Sequence, residues 1–213
     1  LHSQGLADRP NGERSQHDIY ETIEQIGCVQ IDTLQMVQRS QYLVLWSRLG
    51  SYDTSLFDDL LSGSSDAEVG RRLYEYWLHA ACLIPLTDYR FSLPEMRQHR
   101  ESPNHWRKSW FAKSENRELV DQILSHVREN GPSRSADFDR GGPKRGAWWD
   151  WKPAKRALEH LYNQGDLMVA NRQKFQRVYD LKDRVLPGWV SHEEPTEDEA
   201  TRHILEKSLL SLG

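Results

Sequence analysis

Apolar side chains near the start of the chain change from a helical spacing to a strand-like one and back. Isoleucines recurring every three or four positions predict a helix over residues 18–26, which Gly27 ends. A second helical pattern covers residues 39–49. The segment 28–37 between them is either a strand or the entry to the second helix, and it carries the most informative residues of the chain.

The rest of the first hundred residues predicts further short elements. Asp53 is a suitable N-cap for a short helix that ends near Leu61. Aromatic residues at the start of the segment 73–85 favour a strand, while the residues 80–83 favour a helical turn. A further helix is predicted over 87–98, which Pro94 either interrupts or leaves continuous. Together these elements predict a helix-turn-helix unit with a degenerate wing.

A second unit shows a clearer order of elements. Three helices and a two-stranded hairpin are predicted, over residues 116–130, 133–138, 153–164, 166–170 and 174–181, with the hairpin turn at 171–173. The third helix has Pro at its first position and Gly after its end, the asymmetry typical of helices. This order of elements is that of a winged helix.

One more helix is predicted over residues 196–212. Thr196 and Glu199 have the spacing of a capping box at its start. The predicted inward side of this helix consists of Ile204, Leu205, Ser208 and Leu209. The chain stops inside or just after this apolar pattern, so we expect it to be a fragment of a longer protein.

These elements predict a mainly α fold with small β-hairpins, of the α+β class, built from tandem winged helix-turn-helix units. We expect a first winged-helix unit over 1–113 and a second over 114–190. Residues 191–213 are expected to begin a third, truncated unit.

Gln30 and Asp32 are the candidate catalytic residues. They are two positions apart with an aliphatic residue between them, so an extended chain places both side chains on one side. Burial without partners would be costly, most of all for the charged Asp32. Two interpretations are open at this point. Either Asp32 or Thr33 caps the following helix, or Gln30 and Asp32 form a small polar site in an apolar wall.

The charge is unevenly distributed along a weakly acidic chain. The 213 residues carry a formal net charge of −4, which argues against bulk attraction to nucleic acid. Between residues 140 and 156, however, six basic residues stand against one acid, Asp150. The residues expected to contact DNA are Arg39, Lys144, Arg145, Lys152, Lys155, Arg156, Arg172 and Lys174.

Two features of this basic region have alternative explanations. Lys and Arg also occupy any solvated helix face, so the charge pattern alone leaves both DNA contact and a solvated surface open. The tryptophans at 148, 149 and 151 either stack on bases or, as the favoured interpretation, pack at the hinge between units.

The sequence contains no phosphate-binding Gly loop, no Ser/His/Asp order and no zinc-ligand spacing. Cys28 and Cys82 lie in apolar stretches and are interpreted as reduced core residues rather than as a disulfide or metal pair. No apolar run approaches the roughly 18 residues of a membrane span. We therefore expect a cytoplasmic, nucleoid-associated protein with no cofactor, no membrane association and no obligate protein partner.

Several short segments occur together, and in the same order, in one known family. They lie at residues 27–34, 39–41, 45–50, 52–53, 75–80, 84–85, 148–155, 157–159, 165, 172 and 178–181. With these segments the chain resembles the YcaQ-like winged-helix DNA glycosylases, the AlkZ and AlkX group. The resemblance covers nearly the whole chain.

The resemblance implies tandem winged helices that form a concave surface for double-stranded DNA. It also implies a further C-terminal part, including β structure, that this chain lacks. The family's catalytic signature is a Gln, an aliphatic or aromatic residue, and then Gln or Asp, which assigns catalysis to Gln30 and Asp32 here. The Asp version implies broad removal of alkylated bases and the unhooking of interstrand crosslinks.

The chemistry of base removal suits these two residue types. Cleavage of an N-glycosidic bond builds positive charge on the deoxyribose, which a carboxylate stabilises while it positions or deprotonates a water. An amide can orient that water or the carboxylate in advance. An N7-alkylguanine is already cationic and leaves without a strong protein acid, so no metal is needed. The rival hypothesis is a non-catalytic winged-helix DNA-binding protein or transcription regulator.

Overall fold

The structure, a computed structural model, consists of two compact units. It describes residues 1–7, 12–32, 35–63, 70–102, 105–138 and 153–212. The first unit contains Leu1–Phe91 together with Trp189–Gly213, and the second contains Ser92–Gly188.

Helices dominate both units. The helices are α1 (Gln16–Ile26), α2 (Ser40–Leu49), α3 (Thr54–Ser62), α4 (Leu93–Glu101), α5 (His105–Phe111), α6 (Ser114–Asn130), α7 (Pro153–Asn163), α8 (Lys182–Val185) and α9 (Glu197–Leu212). The strands are β1 (Val29–Gln30), β2 (Leu73–Trp77), β3 (Ala81–Pro85), β4 (Leu167–Gln173) and β5 (Gln176–Leu181). Two 3-10 segments lie at Leu86–Ser92 and Ser135–Phe138.

In the first unit, α1, α2 and α3 pack with a three-stranded antiparallel sheet. The strand order is β1-β3-β2, so β3 is the central strand. Ile19 and Ile23 of α1, Leu45 of α2 and Leu60 of α3 are fully buried. Each such side chain contributes about 1.5–3 kcal/mol when it leaves water, so this apolar interior holds the small sheet in place.

In the second unit, the β4–β5 hairpin packs with α6 and α7. Ile123 and Val127 of α6 and Leu158 of α7 form part of its buried interior. Ser133 adds a short extended segment to the hairpin, because its backbone exchanges two hydrogen bonds with that of Tyr179, at 2.8 and 2.9 Å.

Both units follow one order of elements. A helix ends at a Gly, a short extended segment pairs with the last strand of a hairpin, and two helical segments precede that hairpin. In the first unit these are α1, Gly27, β1, α2, α3 and β2–β3. In the second they are α6, Gly131, the segment at Ser133, the 3-10 segment, α7 and β4–β5.

The predicted fold class, mainly α with small β-hairpins, is confirmed. The predicted N-terminal caps of two helices are also present. The Asp53 carboxylate accepts a hydrogen bond from the Ser55 amide at 2.9 Å and caps α3. At the start of α9, the Thr196 hydroxyl accepts from the Glu199 amide at 3.2 Å, and the Glu199 carboxylate accepts from the Thr196 amide at 2.8 Å.

The prediction of a helical turn at 80–83 was wrong. Residues 81–85 form β3, which pairs with β1 on one side and with β2 on the other. Pairing on both sides outweighs the local preference, because propensity is a weak signal that tertiary contacts override.

The helix predicted over 87–98 is divided into two segments. A 3-10 segment ends at Ser92, and α4 then begins with Pro94 in its first turn, where the missing amide is tolerated.

The hairpin turn of the second unit lies at Lys174 and Phe175 rather than at 171–173. Both residues have positive φ, 48° and 68°, as the central residues of a type I′ turn do. Residues 171–173 stay within β4, after an irregularity in register beyond Val169. The sequence hid this turn, because neither of its residues is the Gly or Asn that left-handed backbone usually requires.

Helix α9 packs on the first unit through the side opposite to the predicted one. Ile204, Leu205 and Leu209 are 63%, 57% and 69% exposed. His203 and Lys207 are partly buried instead.

Polar contacts hold α9 in this orientation. The Lys207 ammonium lies 2.6 Å from the Asp88 carboxylate, and the His203 ring stacks on Phe91 with centroids 3.6 Å apart. Burial lowers the pKa of His203, which favours the neutral form of the stacked ring. The ion pair and the stacking decide which face of the helix packs.

The division into winged-helix units over 1–113, 114–190 and 191–213 stays a prediction, although by its contacts α9 groups with the first unit. Within the described ranges, no helix combines the length and the apolar content needed to cross a membrane.

We predict that Ile31→Ala destabilises the protein by roughly 2–5 kcal/mol, because it removes most of a buried side chain that is 8% exposed. Gln30→Ala, one residue earlier on the exposed side, should change the free energy of unfolding by only about 0.5 kcal/mol or less. Urea unfolding of both variants measures the difference. Equal losses would contradict the alternation of the exposed Gln30 and the buried Ile31 along this extended segment.

Candidate active site

Gln30 and Asp32 lie on the outward side of the extended segment that contains β1. Val29 and Ile31 are 1% and 8% exposed, whereas Gln30 is exposed and Asp32 is half-buried. The Ile31 amide donates a hydrogen bond to the Ala81 carbonyl at 2.8 Å, which extends the pairing beyond β1. Because side chains alternate along a strand, both polar side chains lie opposite the two buried aliphatic ones.

Asp32 does not act as the cap of the next helix. That helix, α2, begins at Ser40, and its N-cap residue is Arg39, which makes no side-chain capping bond. Asp32 is therefore not the N-cap residue of α2. Thr33, the other residue considered for this role, lies outside the described residues.

The tip of the β2–β3 hairpin borders the same segment. Trp77 pairs with Ala81, whose carbonyl accepts the hydrogen bond from Ile31. The Leu78 amide donates to the Ala80 carbonyl at 2.9 Å and closes the tip. Trp77 and Leu78 are 52% and 45% exposed, so the hairpin tip presents apolar surface to the solvent. Such a surface suits stacking with an aromatic base.

The sequence did not reveal this apolar tip, because the second half of the hairpin was predicted as a helical turn. The available signal was an aromatic run directly before a second apolar run, which is typical of a hairpin. The position of the tip in the sheet depends on the register of β3, a non-local property.

Arg39 is the predicted DNA contact nearest to this pair in sequence. It stands at the start of α2, half-buried, and forms a bridge with Gln35 that closes a short loop. Its backbone amide donates a hydrogen bond to the Gln38 side-chain oxygen at 3.0 Å, which restrains the loop. A positive charge thus stands at the base of the loop that follows Asp32.

The other described cations predicted to contact DNA belong to the second unit. Lys155 is exposed and Arg156 half-buried in the first turns of α7, and Lys174 is exposed at the hairpin turn. The Arg172 guanidinium donates to the Phe175 carbonyl at 2.7 Å and lies 4.5 Å from the centre of that ring, which fixes its charge at the tip. Lys144, Arg145 and Lys152, like the tryptophans at 148, 149 and 151, lie outside the described residues.

Cys28 and Cys82 lie side by side on the sheet, since Cys82 is paired with Gln30. Both thiols are free, Cys82 is buried and Cys28 is half-buried. A hydrogen bond from the Cys82 thiol, assisted by the charge of Lys207, lowers the pKa of Cys28 to about 7, while the same contact and burial raise the pKa of Cys82. The two thiols therefore differ in chemistry, which their sequence positions did not indicate.

The part of the chain that the structure describes contains no set of side chains suited to bind a metal ion. No group of three or more His, Cys, Asp or Glu side chains there could hold a metal ion. The described part of the candidate site consists of one carboxylate and one amide.

Comparison with known proteins gives two findings. A family model described as DNA glycosylase AlkZ-like matches residues 23–213. Among solved structures, the Streptomyces sahachiroi DNA glycosylase AlkZ is similar to this chain with a TM-score of 0.57 and 16% sequence identity. The similarity covers 100% of this chain and 55% of that structure, so the chain spans about half the length of this relative. At this identity the structural likeness is one of fold.

We predict that iodoacetamide modifies Cys28 well before Cys82, with a rate that rises as the pH passes about 7. The reason is that the thiolate reacts, and a lowered pKa places its formation near neutral pH. Mass spectrometry of peptides from protein treated between pH 5.5 and 9 measures both sites. In Cys82→Ala, which removes the hydrogen-bond donor, the midpoint for Cys28 should move to higher pH. An unchanged midpoint would contradict the assigned cause.

Proposed function

The chain belongs to the AlkZ-like DNA glycosylase family, and we propose that it hydrolyses the N-glycosidic bond of alkylated purines, such as N7-alkylguanine, in double-stranded DNA. The observation that carries this proposal is that Gln30 and Asp32 lie on the same, outward side of one extended segment. Gln30 is exposed, Asp32 is half-buried, and the N-cap residue of the next helix is Arg39 rather than Asp32.

In the proposed reaction, the bond between C1′ of the deoxyribose and the base nitrogen breaks, and its electron pair leaves with the base. Positive charge develops on the sugar, and the Asp32 carboxylate stabilises it at close range. A water then bonds to C1′, and its proton passes to Asp32. An N7-alkylguanine carries a positive charge before the reaction and leaves as a neutral base, so no protein acid has to protonate it.

Gln30 is assigned a positioning part in this reaction. Its amide both donates and accepts hydrogen bonds, so it can hold the attacking water toward Asp32. A rigid strand is a suitable support for such a group, because catalysis by oriented dipoles depends on their being fixed in advance. The buried neighbours Val29 and Ile31 supply that rigidity.

Unhooking of interstrand crosslinks is part of the proposal. A crosslinked base is joined to the opposite strand and cannot simply be extruded into an enclosed pocket. Gln30 is exposed and Asp32 only half-buried, and a carboxylate at such an open position can approach a deoxyribose while the base remains attached to its partner.

The second unit is proposed to hold the duplex. In a winged helix the third helix enters the major groove and the hairpin contacts the adjacent groove or backbone. Here α7 carries Lys155 and Arg156, and the hairpin tip carries Arg172 and Lys174. With Arg39 and the basic residues Lys144, Arg145 and Lys152, they would contact phosphates and set the position of the duplex.

We predict that Asp32→Asn lowers the rate of base release from a duplex with one N7-methylguanine by about 100-fold or more, the loss typical of removing one stabilising group. Affinity for the duplex should stay nearly unchanged, since the substitution leaves the basic residues intact. Single-turnover release of free base and fluorescence anisotropy measure the two properties.

Asp59→Asn is the matched control, because Asp59 is a half-buried carboxylate of α3 in the same unit. It should release base at the wild-type rate. Wild-type activity in Asp32→Asn would overturn the proposed mechanism. No release by any of the three proteins, with tight binding to one undamaged sequence, would favour a non-catalytic transcription regulator instead.

We also predict that Lys155→Gln and Lys174→Gln each weaken duplex binding without changing sequence preference. Each should reduce the slope of log binding constant against log salt by about 1, because one fewer phosphate is neutralised. Lys182→Gln serves as control, since Lys182 follows β5 at the end away from the hairpin turn. Equal slopes in all four proteins would show that these lysines do not contact phosphates.

A further inference from the structure

A short apolar loop follows Asp32 in the chain. Met36 and Val37 are 96% and 91% exposed, which makes them the most exposed large hydrophobic side chains among the described residues. Isolated exposed aliphatic residues need no explanation, but two adjacent ones that project almost fully into water do.

The loop is held by its own contacts. Gln35 and Arg39 form an antiparallel bridge on either side of the apolar pair, and the Gln38 side chain accepts a hydrogen bond from the Arg39 amide at 3.0 Å. Arg39 leads directly into α2, whose Leu45 and Leu49 are buried. Met36 and Val37 therefore stand at the tip of a closed loop anchored to a packed helix.

The tip is close to the proposed catalytic carboxylate. Met36 is four positions after Asp32, and an extended chain covers at most about 14 Å over that length. Successive bases on one DNA strand are about 3.4 Å apart. A duplex that presents its deoxyribose to Asp32 thus brings the apolar tip within about four base steps of the same nucleotide.

We propose that Met36 and Val37 form a wedge that enters the base stack next to the target nucleotide and unstacks it. The inference rests on the proposed glycosylase function, since it concerns how the same site reaches its substrate. Apolar side chains inserted between base steps separate the bases and bend the duplex, and their removal from water offsets the lost stacking.

The size and surroundings of the tip favour DNA as its occupant. A stable protein interface buries about 800 Å² on each partner, far more than two side chains offer. Insertion between base pairs, in contrast, requires only one or two apolar side chains. The tip is flanked by Gln35 and Gln38, which can bond to base edges and sugars in a groove, and Arg39 adds a positive charge beside them.

The test uses a duplex with 2-aminopurine next to a single N7-methylguanine, because 2-aminopurine fluoresces more strongly when it is unstacked. The double variant Met36→Ser/Val37→Ser is compared with wild type, and both are also prepared with Asp32→Asn so that binding is observed without cleavage. Leu209→Ser, at a 69% exposed position of α9, is the matched control for loss of exposed apolar surface. Thermal unfolding verifies that all proteins are equally folded.

We expect wild type and Leu209→Ser to raise the fluorescence on binding, and the double variant to lose most of that rise. Base release by the double variant should fall at least tenfold on the paired duplex. It should recover when the lesion stands opposite an abasic site, where the stack is already interrupted. Equal fluorescence and equal release in the double variant and wild type would overturn the wedge.

The outcomes separate the wedge from the proposed function. A fluorescence rise that depends on Met36 and Val37, without base release by wild type, would retain the wedge and refute glycosylase activity. Base release by wild type without any change in fluorescence would support glycosylase activity and refute the wedge. If duplex binds without either signal, or does not bind, both proposals fail.

Discussion

The pairing of β1 with the central strand β3 is the constraint on which the candidate site depends. The contact is short, with Val29 opposite Leu83, Gln30 opposite Cys82, and one further hydrogen bond from Ile31. Since side chains alternate along a strand, a shift of one residue would turn the polar side chains inward and the aliphatic ones outward. Burial of the aliphatic side therefore keeps the polar side facing outward, and it fixes where the hairpin tip and the following loop stand.

Much of the local structure could be predicted, because its causes lie within a few residues. The capping box of Thr196 and Glu199 and the cap at Asp53 use side chains that bond to amides two or three positions away. The packing face of α9 could not be predicted in this way. That helix offers a polar and an apolar side, and the choice between them is made by Asp88, which is distant in sequence and binds Lys207.

The candidate site was predictable to the same extent. The common side of Gln30 and Asp32 follows from the period of a strand, which the sequence contains. The exposed Trp77 and Leu78 at the tip of the β2–β3 hairpin do not follow from it, because their position requires the register of the strands. The lowered pKa of Cys28 is non-local for the same reason, since its cause is a thiol on the neighbouring strand.

The repeated order of elements gives the chain two copies of the extended segment that holds Gln30 in the first unit. In the second unit this segment holds Ser133, whose hydroxyl donates to a backbone carbonyl two residues earlier, and the next residue, Arg134, pairs with Asp137 at 3.0 Å. There the polar groups serve the local backbone and neutralise one another. The same order of elements thus presents an amide and a carboxylate outward in one unit and uses polar side chains for its own support in the other, so the architecture by itself does not determine where the chemistry lies.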